Sequence, residues 1–207
     1  MRTHLRAGIA IYNAGEYHAA HDAWEAHWLD LDSRTDDEQF LHGLIQFTAA
    51  VYHATTRNWS GAAGLADSAG EYLDELPPTY RGVDVADVRS ELATLARDPE
   101  VVERRHPLAL THEGRELALG DLRFEATAVA ADVFAEEYGY DEQLVETATG
   151  YAREDLSDDV ASSPFVTLLF DFVREPENRG IVLQRLGEHT DRRRSRDDDV
   201  SGLFDEG

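Results

Sequence analysis

Residues 38–56 carry the sequence EQFLHGLIQFTAAVYHATT, a segment without proline and with a single glycine. Its apolar residues recur at intervals of three and four positions and cover more than half of a helical projection. A helix that is apolar around so much of its circumference is buried on most sides, so this segment predicts a central helix. The remaining stripe of the projection holds small and polar side chains: His42, Gly43, Gln46, Ala49, Ala50 and His53.

Three further helical patterns surround this central segment in the first 76 residues. Gly15 follows the first pattern and Asn58 follows the third, and both residue types tolerate the left-handed conformation at helix C-termini. Pro77 and Pro78 end the last pattern. The predicted helices cover residues 3–13, 16–29, 38–56 and 61–76. The predicted fold class is therefore mainly α, with an N-terminal pair of antiparallel helical hairpins that form a bundle with tetratricopeptide-like packing.

The second half of the chain predicts more helices and one small β-hairpin. Leucines with alternating spacing flank Glu113 and Gly114, which indicates a hairpin near residues 107–119. Ser163 and Pro164 are an N-cap and a first-turn proline, and they open another helix. Further helices are predicted at residues 83–97, 121–138, 141–156 and 176–193.

These patterns predict four parts along the chain. They are a helical-hairpin domain at 1–76, a linker at 77–82, a mainly helical C-terminal portion at 83–190 and a disordered charged tail at 191–207. The tail is predicted to be disordered because a run of charged residues at a chain end has little apolar surface to bury.

The charge of the chain is unusual for a globular protein. Its 207 residues include 42 acidic and 19 basic ones, a net charge of -23, and every basic residue is an arginine. The acidic residues are spread along the chain, where their mutual repulsion opposes compaction until counterions screen it. Dispersed acid without lysine fits a host with a salty cytoplasm, so the sequence predicts a halophilic, acidic protein.

The same composition argues against several partners and sites. Nucleic-acid binding depends on basic side chains that neutralise phosphates, and the basic stretch at 192–196 is followed at once by three aspartates. Anionic membrane surfaces are disfavoured for the same reason. The chain contains no cysteine, which excludes disulfides and thiolate metal sites. No segment reads as a membrane span or a signal core, so we expect a cytoplasmic protein.

A polar cluster is predicted between the second and third helices. His21 and Glu25 lie at the margin of the second helix's buried face, and Gln46 and His53 lie two turns apart on the polar stripe of the third. A buried amide or imidazole needs hydrogen-bond partners. The margin of the second helix is the nearest source of such partners. We therefore expect His21, Glu25, Gln46 and His53 to form one cluster.

The N-terminal helices also resemble a known family. The residues that carry the resemblance are, in order, Gly15-Glu16-Tyr17, Ala20-His21-Asp22, Glu25, Trp28, Gly43-Leu44-Ile45-Gln46, Ala49-Ala50, His53, Asn58 and Gly61-Ala62. This pattern is similar to that of the domain-of-unknown-function 309 family and covers about residues 8–76. Asp22 stands where the family usually has Glu, and His42 stands where a longer polar residue is common. The resemblance implies an all-helical domain and leaves the activity open.

The residues of the cluster are compatible with three roles. The first is a structural hydrogen-bond network that fixes the register of the two hairpins. The second is a divalent metal site with His21, Glu25 and His53 as ligands, since two imidazoles and one carboxylate suit zinc, iron or manganese. Such a site is the basis for the alternative function, a metal-dependent, hydrolase-like enzyme.

The third role is a pocket for a small molecule or a protein segment. Its polar anchor is the cluster, and its predicted walls are the aromatic side chains of Trp24, Trp28 and Tyr52. Taken together, the sequence favours a binding or scaffold module with a buried His/Glu/Gln network over the enzyme.

Overall fold

The computed structural model describes the backbone of residues 1–204 and the side chains of residues 1–196. Within that range the protein is mainly helical, which confirms the predicted fold class. The α-helices in the described range are α1 (Arg2–Asn13), α2 (Tyr17–Trp28), α3 (Asp36–Thr55), α4 (Trp59–Leu73), α5 (Val85–Arg97), α6 (Phe124–Glu137), α7 (Glu142–Ser157), α8 (Pro164–Arg174) and α9 (Arg179–Phe204). None of them combines the length and the hydropathy that crossing a bilayer requires.

Two small antiparallel sheets interrupt the helices. Strands β1 (Thr79–Tyr80) and β2 (Val83–Asp84) form the first, and β3 (Thr111–His112) and β4 (Arg115–Glu116) form the second. The second sheet confirms the hairpin predicted near residues 107–119. Gly82 and Gly114 occupy the turns with φ of 84° and 75°, a conformation that glycine adopts without steric cost.

Helices α1 to α4 pack in sequence, each against the next, as two helical hairpins. Thr35 caps α3 by accepting a hydrogen bond from the backbone N–H of Glu38, and Asn58 caps α4 in the same way through Gly61. Their shared core is apolar and consists largely of Leu5, Ile9, Ile11, Tyr12, Trp24, Phe40, Leu44, Phe47, Val51 and Leu73. Helix α3 is buried on most sides, as its apolar circumference predicts.

The chain forms two compact units, of which the first covers Met1–Val129 and the second begins at Ala130. The boundary between them falls inside α6. Helix α5 packs against α4, and Arg89 of α5 donates hydrogen bonds to three carbonyl oxygens at the end of α4, those of Leu73, Asp74 and Leu76. The residues predicted as a linker, 77–82, therefore lie within the first unit. The sequence-based division into domains at 1–76 and 83–190 stays a prediction.

In the second unit, α7, α8 and α9 pack against one another. Ser163 caps α8 and Pro164 occupies its first turn, as predicted. Helix α9 continues to Phe204, whereas the sequence predicts a helix end near residue 193 and a disordered tail from 191. Arg193 accounts for part of this difference, because it lies 3.0 Å from Asp155 of α7 and so holds the charged segment against the unit. The rest of the predicted tail, 205–207, lies outside the described residues.

Candidate functional site on helices α2 and α3

Helices α2 and α3 run antiparallel and share a polar surface. The ring of Trp28, at the end of α2, lies 4.6 Å from that of His42 near the start of α3. The ring of His18, at the start of α2, lies 5.6 Å from that of Tyr52 near the end of α3. We call the surface between these two contacts the α2–α3 strip. Its members are His18, His21, Asp22, Glu25 and Trp28 of α2, and Glu38, His42, Gln46 and Tyr52 of α3.

One end of the strip is a line of polar groups on α3. Glu38, His42 and Gln46 are spaced four residues apart, so they lie one above the other on one face of the helix. The indole Nε1–H of Trp28 donates to Glu38 Oε1 at 3.0 Å, and the same oxygen lies 3.6 Å from His42 Nδ1. His42 Nε2 lies 3.1 Å from Gln46 Nε2. With the Gln46 amide as donor to Nε2, the imidazole carries its proton on Nδ1 and presents it to Glu38.

The line ends on an amide that is only half satisfied. Gln46 Oε1 is buried and has no hydrogen-bond partner among the residues that the structure describes. The middle of the line is covered by aromatic rings, because the ring centroids of Tyr72 of α4 and of Trp28 lie 3.9 Å and 4.6 Å from that of His42. A buried carbonyl oxygen without a partner costs about 1–3 kcal/mol. Gln46 is therefore the least satisfied polar group of the strip.

A second group of polar side chains lies on α2. His21 Nδ1 is 2.7 Å from Asp22 Oδ1 and 4.0 Å from Glu25 Oε2. The side chains of His21, Asp22 and Glu25 are 31%, 25% and 44% exposed. The hydrogen bond to Asp22 raises the pKa of His21 above its ordinary value, and the Asp22 and Glu25 charges act in the same direction against burial. By the register of the two helices, this group lies beside the middle of α3, on either side of Gln46.

His53 takes part in neither group. It lies in the last turn of α3, where its Nδ1 is 2.8 Å from the side-chain amide of Asn58, the residue that caps α4. Within the described range, potential metal ligands that approach one another within 4.8 Å include His21, Asp22 and Glu25 but no set that contains His53. The side chains of the predicted cluster are thus distributed over three local pairings. His21 pairs with Asp22 on α2, and Gln46 pairs with His42 on α3. His53 pairs with Asn58 in the turn that follows α3.

The three predicted pocket walls also differ in position. Trp24 is fully buried, donates to the Leu5 carbonyl at 3.4 Å and packs against Gly8, so it belongs to the core of the hairpins. Trp28 is half-buried within the strip, and Tyr52 is 39% exposed at its far end. The strip therefore has an aromatic residue at each end and polar groups between them.

The predicted cluster and pocket walls did not include four members of the strip, or Tyr72, which contacts it through His42. The four members are His18, Asp22, Glu38 and His42. The signal for two of them was present, because Glu38, His42 and Gln46 recur at a spacing of four, which puts side chains in reach of one another on a helix. Tyr72 belongs to another helix, so its contact with His42 depends on the packing of α4 on α3.

An open groove lies between α4 and α5, and Tyr72 is one of its lining residues. It has a volume of about 950 Å³ and is lined by Gln39, Ala66, Asp67, Ser68, Gly70, Glu71, Tyr72, Asp74, Glu75, Arg89, Leu92, Ala93 and Ala96. Its acidic side chains give it a negative charge, and its one arginine is engaged with the carbonyl oxygens at the end of α4. Tyr72 lines this groove and contacts His42, so it joins the groove to the strip.

The N-terminal helices match a known family. Residues 5–65 match the model of DUF309, a domain of unknown function. The DUF309 segment contains every member of the α2–α3 strip and confirms the family that the sequence motifs resemble. The match ends within α4, before Tyr72 and the groove, and the family's description states no activity. No curated protein matches the chain.

Proposed function

We propose that the protein is a binding module of a salt-adapted cell and that the α2–α3 strip holds a small polar ligand. The observation that carries this proposal is the buried, partnerless Oε1 of Gln46 at the end of a hydrogen-bonded line. An amide in this state gains free energy from any ligand that donates a hydrogen bond to it. Gln46 is only half-buried as a residue, so part of its side chain faces solvent, from which we expect such a donor to approach.

The charges around Gln46 narrow the chemistry of the ligand. Asp22, Glu25 and Glu38 place three carboxylates on the strip, so it favours a ligand with hydrogen-bond donors and no negative charge. Trp28 and Tyr72 add aromatic rings next to His42, and we expect the apolar part of such a ligand to pack against them. Small amines, amides and polyols satisfy these conditions, whereas phosphorylated and carboxylated compounds do not.

Trp28 supplies a direct measurement of this function. Its indole N–H is bonded to Glu38 at the strip, while the indole of Trp24 is buried in the core. We expect a compound that binds the strip to shift the Trp28 indole signal in a ¹H–¹⁵N spectrum and to leave the Trp24 signal in place. A library of uncharged and cationic polar compounds, screened against ¹⁵N-labelled protein, tests this expectation.

Gln46→Ala is the variant that assigns the binding to the strip. It removes the amide that carries the proposal, so the shift of the Trp28 signal should need a higher concentration of the compound. Gln143→Ala is its matched control, since Gln143 is exposed on α7 and its side-chain amide donates to Glu146 of the same helix. The strip is not the ligand site if saturable binding shifts neither indole signal. The same conclusion follows if binding is equally tight in Gln46→Ala.

A further inference from the structure

His21, Asp22 and Glu25 form a set of ligand atoms close enough to share one ion. The three atoms lie within 4.8 Å of one another, and Asp22 Oδ1 and Glu25 Oε2 lie 2.7 Å and 4.0 Å from His21 Nδ1. A four-coordinate zinc ion with bonds of about 2.0–2.1 Å separates its ligand atoms by about 3.3 Å. The two measured distances fall on either side of that value. Shifts of about 0.7 Å bring the Asp22 and Glu25 oxygens to that distance from His21 Nδ1, and the two oxygens, which lie within 4.8 Å of each other, need at most about 1.5 Å more, within the range of partly exposed side chains.

The chemical types of the three groups match a transition-metal ion. Two carboxylates balance the charge of a divalent cation, and the imidazole supplies a nitrogen donor, which zinc, manganese and iron accept. The imidazole distinguishes this set from the many carboxylates of a chain with a net charge of -23, because carboxylates alone attract hard cations without selecting among them.

The position of the set on α2 leaves room for an ion. His21 and Glu25 are one helical turn apart and lie on the same face of α2, a spacing that lets two side chains converge on one point. All three side chains are partly exposed, so an ion reaches them from solvent and keeps water in its remaining coordination positions.

We infer that His21, Asp22 and Glu25 bind a divalent transition-metal ion at the surface of the α2–α3 strip. In this set Asp22 takes the place that the sequence assigned to His53, which instead pairs with Asn58. The ion displaces the proton that His21 shares with Asp22, so each binding event releases a proton at acidic pH. The inference is independent of the small ligand proposed for Gln46.

The test is a calorimetric titration of untagged, chelator-treated protein with ZnCl₂ and, separately, with CoCl₂. The buffer contains about 1 M KCl, which reduces the screening length to about 3 Å and suppresses diffuse binding to surface carboxylates. We expect one saturable site per chain. Co²⁺ bound there also gives a visible absorption band whose intensity reports the coordination number of the ion.

Variants then identify the ligands. His21→Ala and Glu25→Gln should each weaken binding by more than about tenfold, because even groups that only support a metal ligand contribute 10- to 100-fold. His106→Ala and Glu146→Gln are the matched controls, since both residues are exposed and lie outside the set. Asp22→Asn keeps the size of the side chain and removes its charge. Circular dichroism of the metal-free variants shows whether each has folded before its affinity is interpreted.

Two results would overturn the inference. One is a wild-type titration without a saturable site, or with a site that His21→Ala leaves unchanged, which reduces the set to a local ion pair. The other is a loss of binding in His53→Ala as large as that in His21→Ala, which restores the ligand set of His21, Glu25 and His53. Neither result bears on the Trp28 indole shift, so the failure of this inference and the failure of the proposed function are distinguishable.

Discussion

His4 of α1 and His27 of α2 stack face to face, with ring centroids 5.0 Å apart and ring planes within 6° of parallel. His4 Nδ1 and His27 Nε2 are both buried and have no hydrogen-bond partner in the described part of the chain. Burial lowers the pKa of both imidazoles, and the charge of a protonated His27 lowers the pKa of His4 further. The two rings therefore join α1 to α2 as a neutral pair.

This pair predicts a loss of stability in acid. A histidine with a folded-state pKa below its unfolded value of about 6.5 binds its proton more readily after unfolding. The stability that it contributes is therefore present above that unfolded pKa and is lost as the pH falls through it towards the folded pKa. We expect the free energy of unfolding, measured by denaturant titration, to fall as the pH is lowered through this range.

His27→Phe tests whether the stack is responsible. It keeps an aromatic ring against His4 and removes one proton-binding group, so its free energy of unfolding should fall less steeply with acid than that of the wild type. His106→Phe is the control, because His106 is exposed. His4, His112 and His189, whose pKa values burial also lowers, contribute to the slope in both variants. If the free energy of unfolding depends on pH identically in His27→Phe and the wild type, the stack does not contribute to the loss of stability in acid.

A second prediction separates the two histidines of α3. His42 contacts Trp28, Glu38, Gln46 and Tyr72, so His42→Ala removes ring packing and leaves the Gln46 amide without a partner. We expect a loss of about 2–4 kcal/mol in the free energy of unfolding. His53→Ala should cost less than about 1 kcal/mol, since its bond to Asn58 is exposed to solvent.

Chemical denaturation of the two variants, side by side, measures this difference. The order of the two losses in free energy tests the cluster predicted from the sequence. That cluster includes His53 as a buried member and does not include His42. A larger loss for His53→Ala than for His42→Ala would mean that the pairing along α3 does not describe the protein in solution.

A third prediction concerns the only buried arginine in the range with described side chains. Arg179 is 3% exposed, donates to the Phe172 carbonyl at 3.1 Å and lies 4.0 Å and 4.7 Å above the rings of Phe134 and Tyr138. Arg179→Ala removes the hydrogen bond, the cation–π contacts and the packing of the side-chain stem. We expect it to lower the free energy of unfolding by about 2–4 kcal/mol, while Arg185→Ala, an exposed site on the same helix, changes it by less than about 0.5 kcal/mol.

Arg179→Met separates the contribution of the charge to stability from that of the side-chain volume. Methionine fills much of the same space without a cation or a donor, so it should recover part of the loss and leave the Phe172 carbonyl unpaired. Full recovery in Arg179→Met would assign the effect to packing alone.

The helices of this protein were predictable because each break carries a residue with a fixed conformational preference. Gly15 has a φ of 87° after α1, and Thr35, Asn58 and Ser163 accept the hydrogen bonds that open the helices after them. Helix capping and glycine turns depend on a few neighbouring residues, so the local sequence is enough to predict them. The helix limits in the first 76 residues consequently agree with the predicted ones within about three residues.

The partners of the polar side chains were not predictable in the same way. Gln46 was expected to reach across to α2, and it pairs with His42 on its own helix. A partner on α2 and a partner on α3 would each satisfy the amide nitrogen of Gln46. Which of the two it takes depends on side-chain rotamers and on the packing of Tyr72 against His42. Likewise, His21 pairs with its neighbour Asp22, although a helical projection places their Cβ atoms about 100° apart. A projection gives the direction of a residue but not the conformation of a long side chain.

The fourth prediction concerns salt and rests on the net charge of -23. Raising KCl from about 0.1 M to about 1 M shortens the screening length from about 10 Å to about 3 Å, which relieves repulsion in the folded state more than in the expanded one. We expect the thermal unfolding midpoint to rise across this series by several degrees. A midpoint that stays constant would remove the argument for adaptation to salt.

The carboxylates at the end of α4 provide the matched variant for this prediction. Asp67, Glu71 and Glu75 are exposed, follow one another at a spacing of four and lie towards the helix C-terminus, where the dipole disfavours negative charge. The triple change Asp67→Asn, Glu71→Gln and Glu75→Gln should raise the midpoint in dilute buffer and reduce its further rise with KCl. Sucrose, which favours the compact state without screening charge, should raise the midpoints of both proteins equally. If the triple variant keeps the full salt response of the wild type, repulsion among these three carboxylates does not contribute to the gain with KCl.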